Sequence, residues 1–375
     1  MQLPTSNELD QTATHRSGPV ETAACDELLQ RYGAFVAESR FHWTTHLHFR
    51  RKLGSGGQGV VFLTEKKGAD GFTVPVALKI FSPERYPDPE TYDEDMIRMG
   101  QVSAQVARIQ HEYLVGVENF LERDRIRLLV MEWIEGFDLR RLLAPSMFGV
   151  LRDRVSVRRW QYMNDVIATM GESQTRFKSG VAVAIARHCL SALGALHRRG
   201  IVHGDVKPAN IMLKRSGHAK IIDIGAAFEI DAPPQRLACT PGYSAVEVLE
   251  GAKPTPASDL ASLGFVLVEL LAGKPLFSGS ERLAELIETK RSFSDRLDEY
   301  LPVDVTRNDL LMSFCSRLVA ARPEERFPSA EAAELFDDGA AAFHRQLIKV
   351  DLASEYDSDI RTWIEELLDL ESLLE

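Results

Sequence analysis

Residues 201–210 have the sequence IVHGDVKPAN. Within six residues this stretch offers a carboxylate (Asp205), an ammonium (Lys207) and a carboxamide (Asn210). It follows an apolar stretch of helical pattern and contains Gly and Pro, so we expect a loop that fixes these polar groups. What such a loop can do depends on the segments that accompany it.

Two further segments upstream carry residue types that suit phosphate groups. The sequence GSGGQGVVF at 54–62 matches the pattern GxGxxGxV, and glycines let a hairpin backbone bring its N–H groups close to phosphates. The segment lies between two strand-like runs rather than between a strand and a helix, which disfavours a dinucleotide site. VALK at 76–79 follows, and its Lys79 is suited to contact the phosphates that the glycine segment would hold.

Together with IIDIG at 221–225, these segments occur in an order that resembles a eukaryotic-type (Hanks-type) serine/threonine protein kinase. The resemblance covers roughly residues 48–345. It implies a Mg·ATP-dependent transfer of the γ-phosphate to Ser or Thr of a protein. By this resemblance Lys79 binds the phosphates, Asp205 accepts the hydroxyl proton, Lys207 neutralises the γ-phosphate, and Asn210 and Asp223 bind Mg²⁺.

The resemblance also implies an ATP site built from the glycine segment, the hinge between the lobes and two adenine-facing strands. Its predicted residues are Gly54, Ser55, Gly56, Gly57, Gly59, Val61, Ala77, Lys79, Met131, Glu132, Ile134 and Met212. The apolar members of this set could equally be ordinary core residues.

The tripeptide HGD also resembles aminoglycoside and choline kinases, which act on small molecules. A protein-substrate segment separates the two classes, and ACTPGYSAVE at 238–247 resembles one, with Thr240 beside the catalytic groups. Downstream, Asp259 occupies the position at which the protein kinase family, by this resemblance, anchors the backbone of its catalytic loop. Arg322, in ARPEERFPSA (321–330), is predicted to pair with Glu247. This set favours a protein kinase.

Gly204 stands where most protein kinases carry an Arg that a phosphate on the activation loop holds in place, so the chain resembles a non-RD kinase. The sequence from Ile224 to Cys239 contains no Ser, Thr or Tyr. We therefore expect activity that does not depend on phosphorylation of this loop.

A different departure concerns the partner of Lys79. In the family a helix Glu pairs with this Lys, nine residues before the His at position 111, but that count gives Val102. Gln101, Gln105, Glu94 and Asp95 are the polar residues nearby. Two hypotheses follow: an active kinase with another Lys79 partner, or an ATP-binding pseudokinase that acts as a regulatory scaffold.

The order of patterns predicts an α+β, two-lobed fold with a small antiparallel sheet lobe that contains one helix and a larger, mainly helical lobe. We divide the chain into an extension at 1–46 (partly disordered, with a helix at 24–38), a small lobe at 47–133, a large lobe at 134–345 and a tail at 346–375.

The large lobe includes an insertion at about 147–180 with six basic and three acidic side chains. It is predicted to be a solvated loop or a docking surface for a substrate or for the tail. Residues 351–375 hold nine acids and one base, and their apolar residues lie on one helical face: Ile360, Trp363, Ile364, Leu367, Leu370 and Leu374. This tail is predicted to be a helix packed on the large lobe or a regulatory helix that binds a partner.

The net charge of −11 argues against nucleic acid as the main partner. No run of about 18 apolar residues lacks a charge, and the N-terminus has no signal-peptide pattern, so we expect no membrane span and a cytoplasmic protein. The four cysteines lack metal-ligand spacing and fit a reducing compartment.

Overall fold

The strand-rich half of the chain forms one antiparallel sheet. The computed structural model describes residues 26–37, 40–41, 47–234, 239–277, 282–349 and 356–372. The sheet has the order β1-β2-β3-β4-β6-β5. Its strands are β1 (Arg40–Phe41), β2 (Leu47–Gly56), β3 (Gly59–Lys67), β4 (Thr73–Phe81), β5 (Val117–Arg123) and β6 (Ile126–Glu132). The prediction that part of the extension at 1–46 is disordered concerns residues outside those described.

Two helices accompany this sheet, α1 (Asp26–Ala37) and α2 (Pro89–Val106). The side chain of Asp88 caps α2 by accepting a hydrogen bond from the backbone N–H of Thr91, and Pro89 occupies the first turn. The helix buries one face at helical spacing: Tyr92, Met96, Met99, Val102 and Val106. Val102 therefore belongs to the core of this lobe.

The rest of the chain is mainly helical. Its helices are α3 (Leu139–Leu143), α4 (Pro145–Gly149), α5 (Val157–Tyr162), α6 (Ser179–His197), α7 (Val246–Leu249), α8 (Pro256–Ala272), α9 (Leu283–Arg291), α10 (Leu297–Tyr300), α11 (Val303–Thr306), α12 (Asp309–Leu318), α13 (Ala330–Leu335), α14 (Ala340–Lys349) and α15 (Tyr356–Ser372). Helices α6 and α8 pack against each other in the core. By length and composition α6 could cross a membrane, but 78% of its apolar window is buried inside the protein, as in the core helix of a globular domain.

The described residues of this half also form seven short strands: β7 (Gly136–Asp138), β8 (Ala168–Met170), β9 (Thr175–Phe177), β10 (Ile201–Val202), β11 (Ile211–Lys214), β12 (Ala219–Ile221) and β13 (Phe228–Glu229). Strand β11 pairs with β7 and β12, and β10 pairs with β13. These pairs hold both ends of the loop at 203–210 and both ends of the loop at 222–227. The two loops that carry the predicted catalytic and metal-binding residues are thereby fixed next to each other.

The basic insertion and the acidic tail meet on the large lobe. Helix α15 buries Trp363, whose ring lies 6.3 Å from that of Phe148 and 5.7 Å from that of Phe177. Arg159 donates to both carboxylate oxygens of Glu366, at 2.8 and 3.0 Å. The insertion is predicted from its sequence to be a solvated loop or a docking surface, and its described residues contact the tail. The tail is predicted to be a helix packed on the large lobe or a regulatory helix, and its described residues form a packed helix.

The predicted fold class is confirmed: a small antiparallel sheet lobe precedes a larger, helix-rich lobe.

Candidate active site

A buried carboxylate holds the backbone of the loop at 203–210. Asp259, on α8, is 1% exposed and accepts hydrogen bonds from the backbone N–H of His203 (2.8 Å) and of Gly204 (2.9 Å). The ring of His197 lies 2.9 Å from the same carboxylate. Burial alone would raise the pKa of Asp259, but the hydrogen bond with His197 lowers it, so the group is an anion that fixes the loop. Asp259 thus has the contacts that the resemblance implies.

Gly204 adopts a backbone conformation that favours glycine. Its φ is +76°, and a Cβ at this position would lie 3.1 Å from the carbonyl oxygen of Ala226. L-residues with side chains are strained in this region. The loop is therefore shaped around glycine, and an Arg at this position would require a different backbone.

Asp205 lies at the centre of a hydrogen-bonded group. The hydroxyl of Thr240 donates to its Oδ1 at 2.8 Å, and the ammonium of Lys207 lies 2.9 Å from its Oδ2. Lys207 also donates to the Thr240 hydroxyl at 3.0 Å, and the amide of Asn210 donates to Oδ2 at 3.1 Å. The structure thus brings together three of the predicted catalytic-loop residues with Thr240 of the segment at 238–247.

Lys79 and Asp223 form a second group across the lobes. The ammonium of Lys79, which is 3% exposed, lies 2.8 Å from both carboxylate oxygens of Asp223. Burial alone would raise the pKa of Asp223, but the Lys79 ammonium and the backbone N–H of Gly225 lower it to about 2. Asp223 is therefore ionised at neutral pH, and together with the amide oxygen of Asn210 it offers the hard oxygen donors that Mg²⁺ prefers. These residues fit a magnesium ion.

The second partner of Lys79 comes from the glycine segment rather than from α2. The amide oxygen of Gln58 accepts a hydrogen bond from the Lys79 ammonium at 2.6 Å. A Cβ on Gly225 would lie 2.0 Å from this oxygen, so the Gln58 side chain reaches deep between the lobes. On α2, Val102 is buried and Glu94 is exposed. Sequence reasoning missed Gln58, and its place at a hairpin tip gives no periodic signal that could have shown it.

The remaining glycine-segment residues form the turn between β2 and β3. Gly54, Ser55 and Gly56 end β2, and Gly59 starts β3. Gly59 has a φ of +141°, and a Cβ there would lie 1.9 Å from the Ile80 carbonyl oxygen, so only glycine fits. Gly57 lies between the two strands at the turn. This geometry leaves the backbone of the turn free of bulky side chains apart from Gln58.

The predicted adenine-facing residues occupy the strands and the segment that join the lobes. Ala77 on β4 pairs with Met131 on β6, and both are buried. Val61 on β3, Ile134 after β6 and Met212 on β11 are partly buried. The Glu132 carboxylate is used within the protein, since it accepts hydrogen bonds from the Gly116 backbone N–H and the Lys220 ammonium, both at 2.5 Å. Its side chain therefore fixes the hinge.

One predicted ion pair is wrong. Glu247 pairs with Arg326 and not with Arg322: both guanidinium NH₂ groups of Arg326 donate to its carboxylate at 2.7 Å. Arg326 is 1% exposed at its side chain, whereas the side chain of Arg322 is 68% exposed and contacts Glu325. Because Arg326 precedes the buried Phe327, while Arg322 precedes Pro323 in a polar run, the local pattern could have distinguished them.

A different group of possible metal ligands lies outside the ATP site. His188, His218 and Asp357 have ligand atoms within 4.8 Å of one another and line a cavity of about 1000 Å³. The Nδ1 of His188 accepts a hydrogen bond from the Ala219 backbone N–H at 3.2 Å. The neutral ring therefore carries its proton on Nε2, the atom that faces Asp357, and a protonated nitrogen cannot bind a metal. This group ties α15 to α6.

The chain matches the model of the protein kinase domain over residues 47–335. It is 28% identical over 295 residues to the serine/threonine-protein kinase PkaA of Streptomyces coelicolor. This alignment covers 74% of the present chain and 47% of PkaA. It is 31% identical over 239 residues to PkaB of the same organism (60% of this chain, 48% of PkaB). Over 239 residues it is also 31% identical to PknL of Mycobacterium tuberculosis (62% of this chain, 51% of PknL). The chain spans about half the length of these curated relatives. It belongs to the protein kinase family.

Proposed function

We propose that the protein is a Mg·ATP-dependent serine/threonine protein kinase that transfers the γ-phosphate to a hydroxyl of a protein substrate. One observation carries the proposal: the Thr240 hydroxyl donates to Asp205 beside the Lys207 ammonium. A threonine hydroxyl is the same chemical group as the acceptor of a Ser/Thr substrate. The contact therefore supports Asp205 as the group that orients the acceptor hydroxyl and accepts its proton.

The remaining residues supply positioning and charge, which phosphoryl transfer mainly requires. Lys79 and Lys207 are cations on the two sides of the cleft and suit the phosphates of ATP. Asn210 and Asp223 would hold Mg²⁺, which neutralises phosphate charge when bound. The acceptor oxygen forms the new bond to the γ-phosphorus, its proton passes to Asp205, and ADP leaves.

Activity is proposed to be independent of a phosphate on the activation loop. Gly204 provides no cation for such a phosphate, and residues 224–239 contain no hydroxyl side chain. Helix α2 is instead tied directly to the segment after Asp223: Arg98 donates to the Ala227 carbonyl at 2.9 Å and Gln105 to Glu229 at 2.5 Å. Treatment with a phosphatase should therefore leave the transfer rate unchanged.

The test is transfer of radiolabelled phosphate from Mg·ATP to myelin basic protein or casein, followed by phosphoamino-acid analysis. Wild type should label Ser or Thr. Asp205→Asn and Lys79→Met should lower incorporation by about 100-fold or more, since each removes a group that acts on the reacting phosphate or hydroxyl. Asp337→Asn, an exposed carboxylate on the large lobe, is the matched control and should retain the wild-type rate.

The alternative is an ATP-binding pseudokinase, and the replacement of the helix Glu by Gln58 as the partner of Lys79 is the observation that favours it. No incorporation by wild type, together with stabilisation of the fold by ATP, would contradict the proposed activity and support the scaffold. A cytoplasmic location and a protein partner for the tail or the insertion stay predictions.

A further inference from the structure

Lys290, on α9, is fully buried although it is a lysine. Its exposed fraction is 0%, and its ammonium lies 3.7 Å from the ring centroid of Phe265 and 4.6 Å from that of Phe277. Within the described ranges no carboxylate forms an ion pair with it. Burying an ammonium costs several kcal/mol unless hydrogen bonds and other groups compensate. Such a residue needs a reason to be there.

Two hydrogen bonds to backbone carbonyls of one short segment offset this cost. It donates to the carbonyl of Gly242 at 2.8 Å and to that of Ser244 at 2.7 Å. The two ring faces add cation–π attraction. Burial also lowers the pKa of Lys290 well below its usual range, but the neutral amine keeps two N–H donors, so the side chain can hold both carbonyls in either protonation state.

This segment is a single hydrogen-bonded turn that begins at Thr240. The backbone N–H groups of Tyr243 and Ser244 both donate to the Thr240 carbonyl, at 2.9 and 3.0 Å. The Ser244 hydroxyl donates to the same oxygen at 2.9 Å. The carbonyls that Lys290 holds and the hydroxyl that contacts Asp205 therefore belong to one rigid unit.

The position of the turn matters for an acceptor polypeptide more than for ATP. Thr240 touches Asp205, so a polypeptide that presents its hydroxyl to Asp205 must pass beside residues 240–244. In the described part of the chain, the phosphate- and metal-facing groups predicted from the resemblance, Lys79 and Asp223, form their hydrogen bonds and ion pairs outside this turn. A displacement of the turn should thus change acceptor binding first.

We propose that Lys290 is a positioning residue for the protein substrate: by holding the carbonyls of Gly242 and Ser244, it keeps the turn at 240–244 where an acceptor polypeptide can reach Asp205. The proposal rests on the proposed kinase activity and assigns a role in it to a residue of α9, away from the catalytic loop.

The test compares Lys290→Met with Arg291→Met, using the better acceptor of myelin basic protein and casein. Methionine is one heavy atom shorter than lysine, but it keeps an unbranched apolar side chain and removes the donors. The neighbouring Arg291 is exposed and pairs on the surface with Glu250, so its variant controls for a change on α9. Lys290→Met should lower kcat/KM for the acceptor at least tenfold, with the KM for ATP within twofold of wild type. Arg291→Met should leave both constants unchanged.

Hydrogen exchange of folded Lys290→Met provides a second readout. Faster exchange should be confined to residues 239–247, whereas general destabilisation would accelerate exchange throughout the large lobe. If the methionine variant does not fold, Lys290→Arg takes its place. Arginine keeps the charge, but in this fully buried site its longer, planar group cannot take the place of the ammonium between the two carbonyls unless the turn moves. The variant should therefore show the same split between the constants for the acceptor and for ATP.

The outcomes separate this inference from the function on which it depends. A wild-type acceptor kcat/KM in Lys290→Met, or a parallel rise in both KM values, would overturn the role of Lys290 and leave the kinase activity intact. No transfer by wild type at all would overturn the kinase activity and the positioning role with it.

Discussion

At the scale of single residues, Gly204 combines a missing charge with a backbone conformation that a side chain would strain. Its backbone N–H donates a hydrogen bond to the Asp259 carboxylate, and its φ of +76° lies in the left-handed region. The backbone conformation of the loop therefore disfavours an Arg at this position. A loop of this shape has no cation at position 204.

Gly204→Ala should lower the free energy of unfolding by about 1–2 kcal/mol, the cost of placing a side chain in the left-handed region. Urea denaturation measures this. Gly149→Ala is the matched control, because a Cβ there meets no atom within 4 Å and its φ is not left-handed. An equal loss of stability in the two variants would contradict the conformational explanation.

At the scale of elements, the segment from Thr240 to Glu247 is held to the large lobe at several points. Lys290 binds its turn, and the hydroxyl of Tyr243 donates to Glu269 on α8 at 2.6 Å. Arg326 binds Glu247 at its end. The segment is thus positioned by α8, α9 and the loop before α13, in addition to its own turn and the start of α7.

Arg326→Met should lower the free energy of unfolding by about 3–5 kcal/mol, because it leaves the partly buried Glu247 without its cationic partner, with only the Ser258 hydroxyl as a side-chain donor. Arg322→Met should have no measurable effect, since that side chain lies at the surface. Urea denaturation of both variants decides between the two arginines. The reverse order of effects would show that Glu247 depends on Arg322.

The same pair has a predictable pH dependence. Burial alone would raise the pKa of Glu247, but the hydrogen bonds from Arg326 lower it below its ordinary value of 4.5. A carboxylate with a lowered folded pKa stabilises the fold above its ordinary pKa and loses this contribution as the pH falls below it. The stability difference between wild type and Glu247→Gln should therefore be full at neutral pH and shrink well below pH 4.5. A pH-independent difference would contradict the ionic origin.

The elements and the catalytic loop could be predicted because their signals are local. Periodicity marks α2 and α6, glycines mark the turn after β2, and Asp205 with Asn210 lies on one short loop. The partners of Lys79 and Lys290 could not be predicted, since they depend on how distant segments meet. Lys290 contacts carbonyls 46 and 48 residues away, and beside Arg291 it resembles a solvated helix residue. The prediction for Glu247 was wrong because Arg322 and Arg326 lie only four residues apart, and it named Arg322.

At the scale of the whole molecule, α15 joins the insertion to the rest of the large lobe. Its buried face contacts Phe148 and Phe177, and its acids contact Arg141 and Arg159 at 2.9 and 2.8 Å. Arg141 lies on α3, directly after the β7 strand that pairs with the catalytic-loop strand β11. The tail is therefore part of the folded body that supports the active site.

Trp363→Ala should lower the free energy of unfolding by about 3–5 kcal/mol, because it leaves a cavity in a fully buried aromatic cluster. The adjacent Thr362→Ala, at an exposed position of the same helix, should change it by no more than about 0.5 kcal/mol. Thermal or urea unfolding of the full chain measures both. Wild-type stability of Trp363→Ala, or of a chain that lacks residues 351–375, would contradict a structural role for the tail.

If the protein binds ATP as proposed, the contact of Gln58 with Lys79 makes the Gln58 side chain a competitor for the phosphates of ATP. Two acceptors, the Gln58 amide oxygen and the Asp223 carboxylate, already occupy the Lys79 ammonium. Because an ammonium has three donors, a phosphate that binds Lys79 fully would displace one of these acceptors, and displacement of the amide requires the tip of the glycine turn to move. Where the amide is the group displaced, the apparent affinity for ATP would be the intrinsic affinity reduced by the fraction of molecules in which the turn has moved. On the proposed function, a single uncharged side chain at the tip of the turn would then contribute to the sensitivity of the protein to nucleotide concentration.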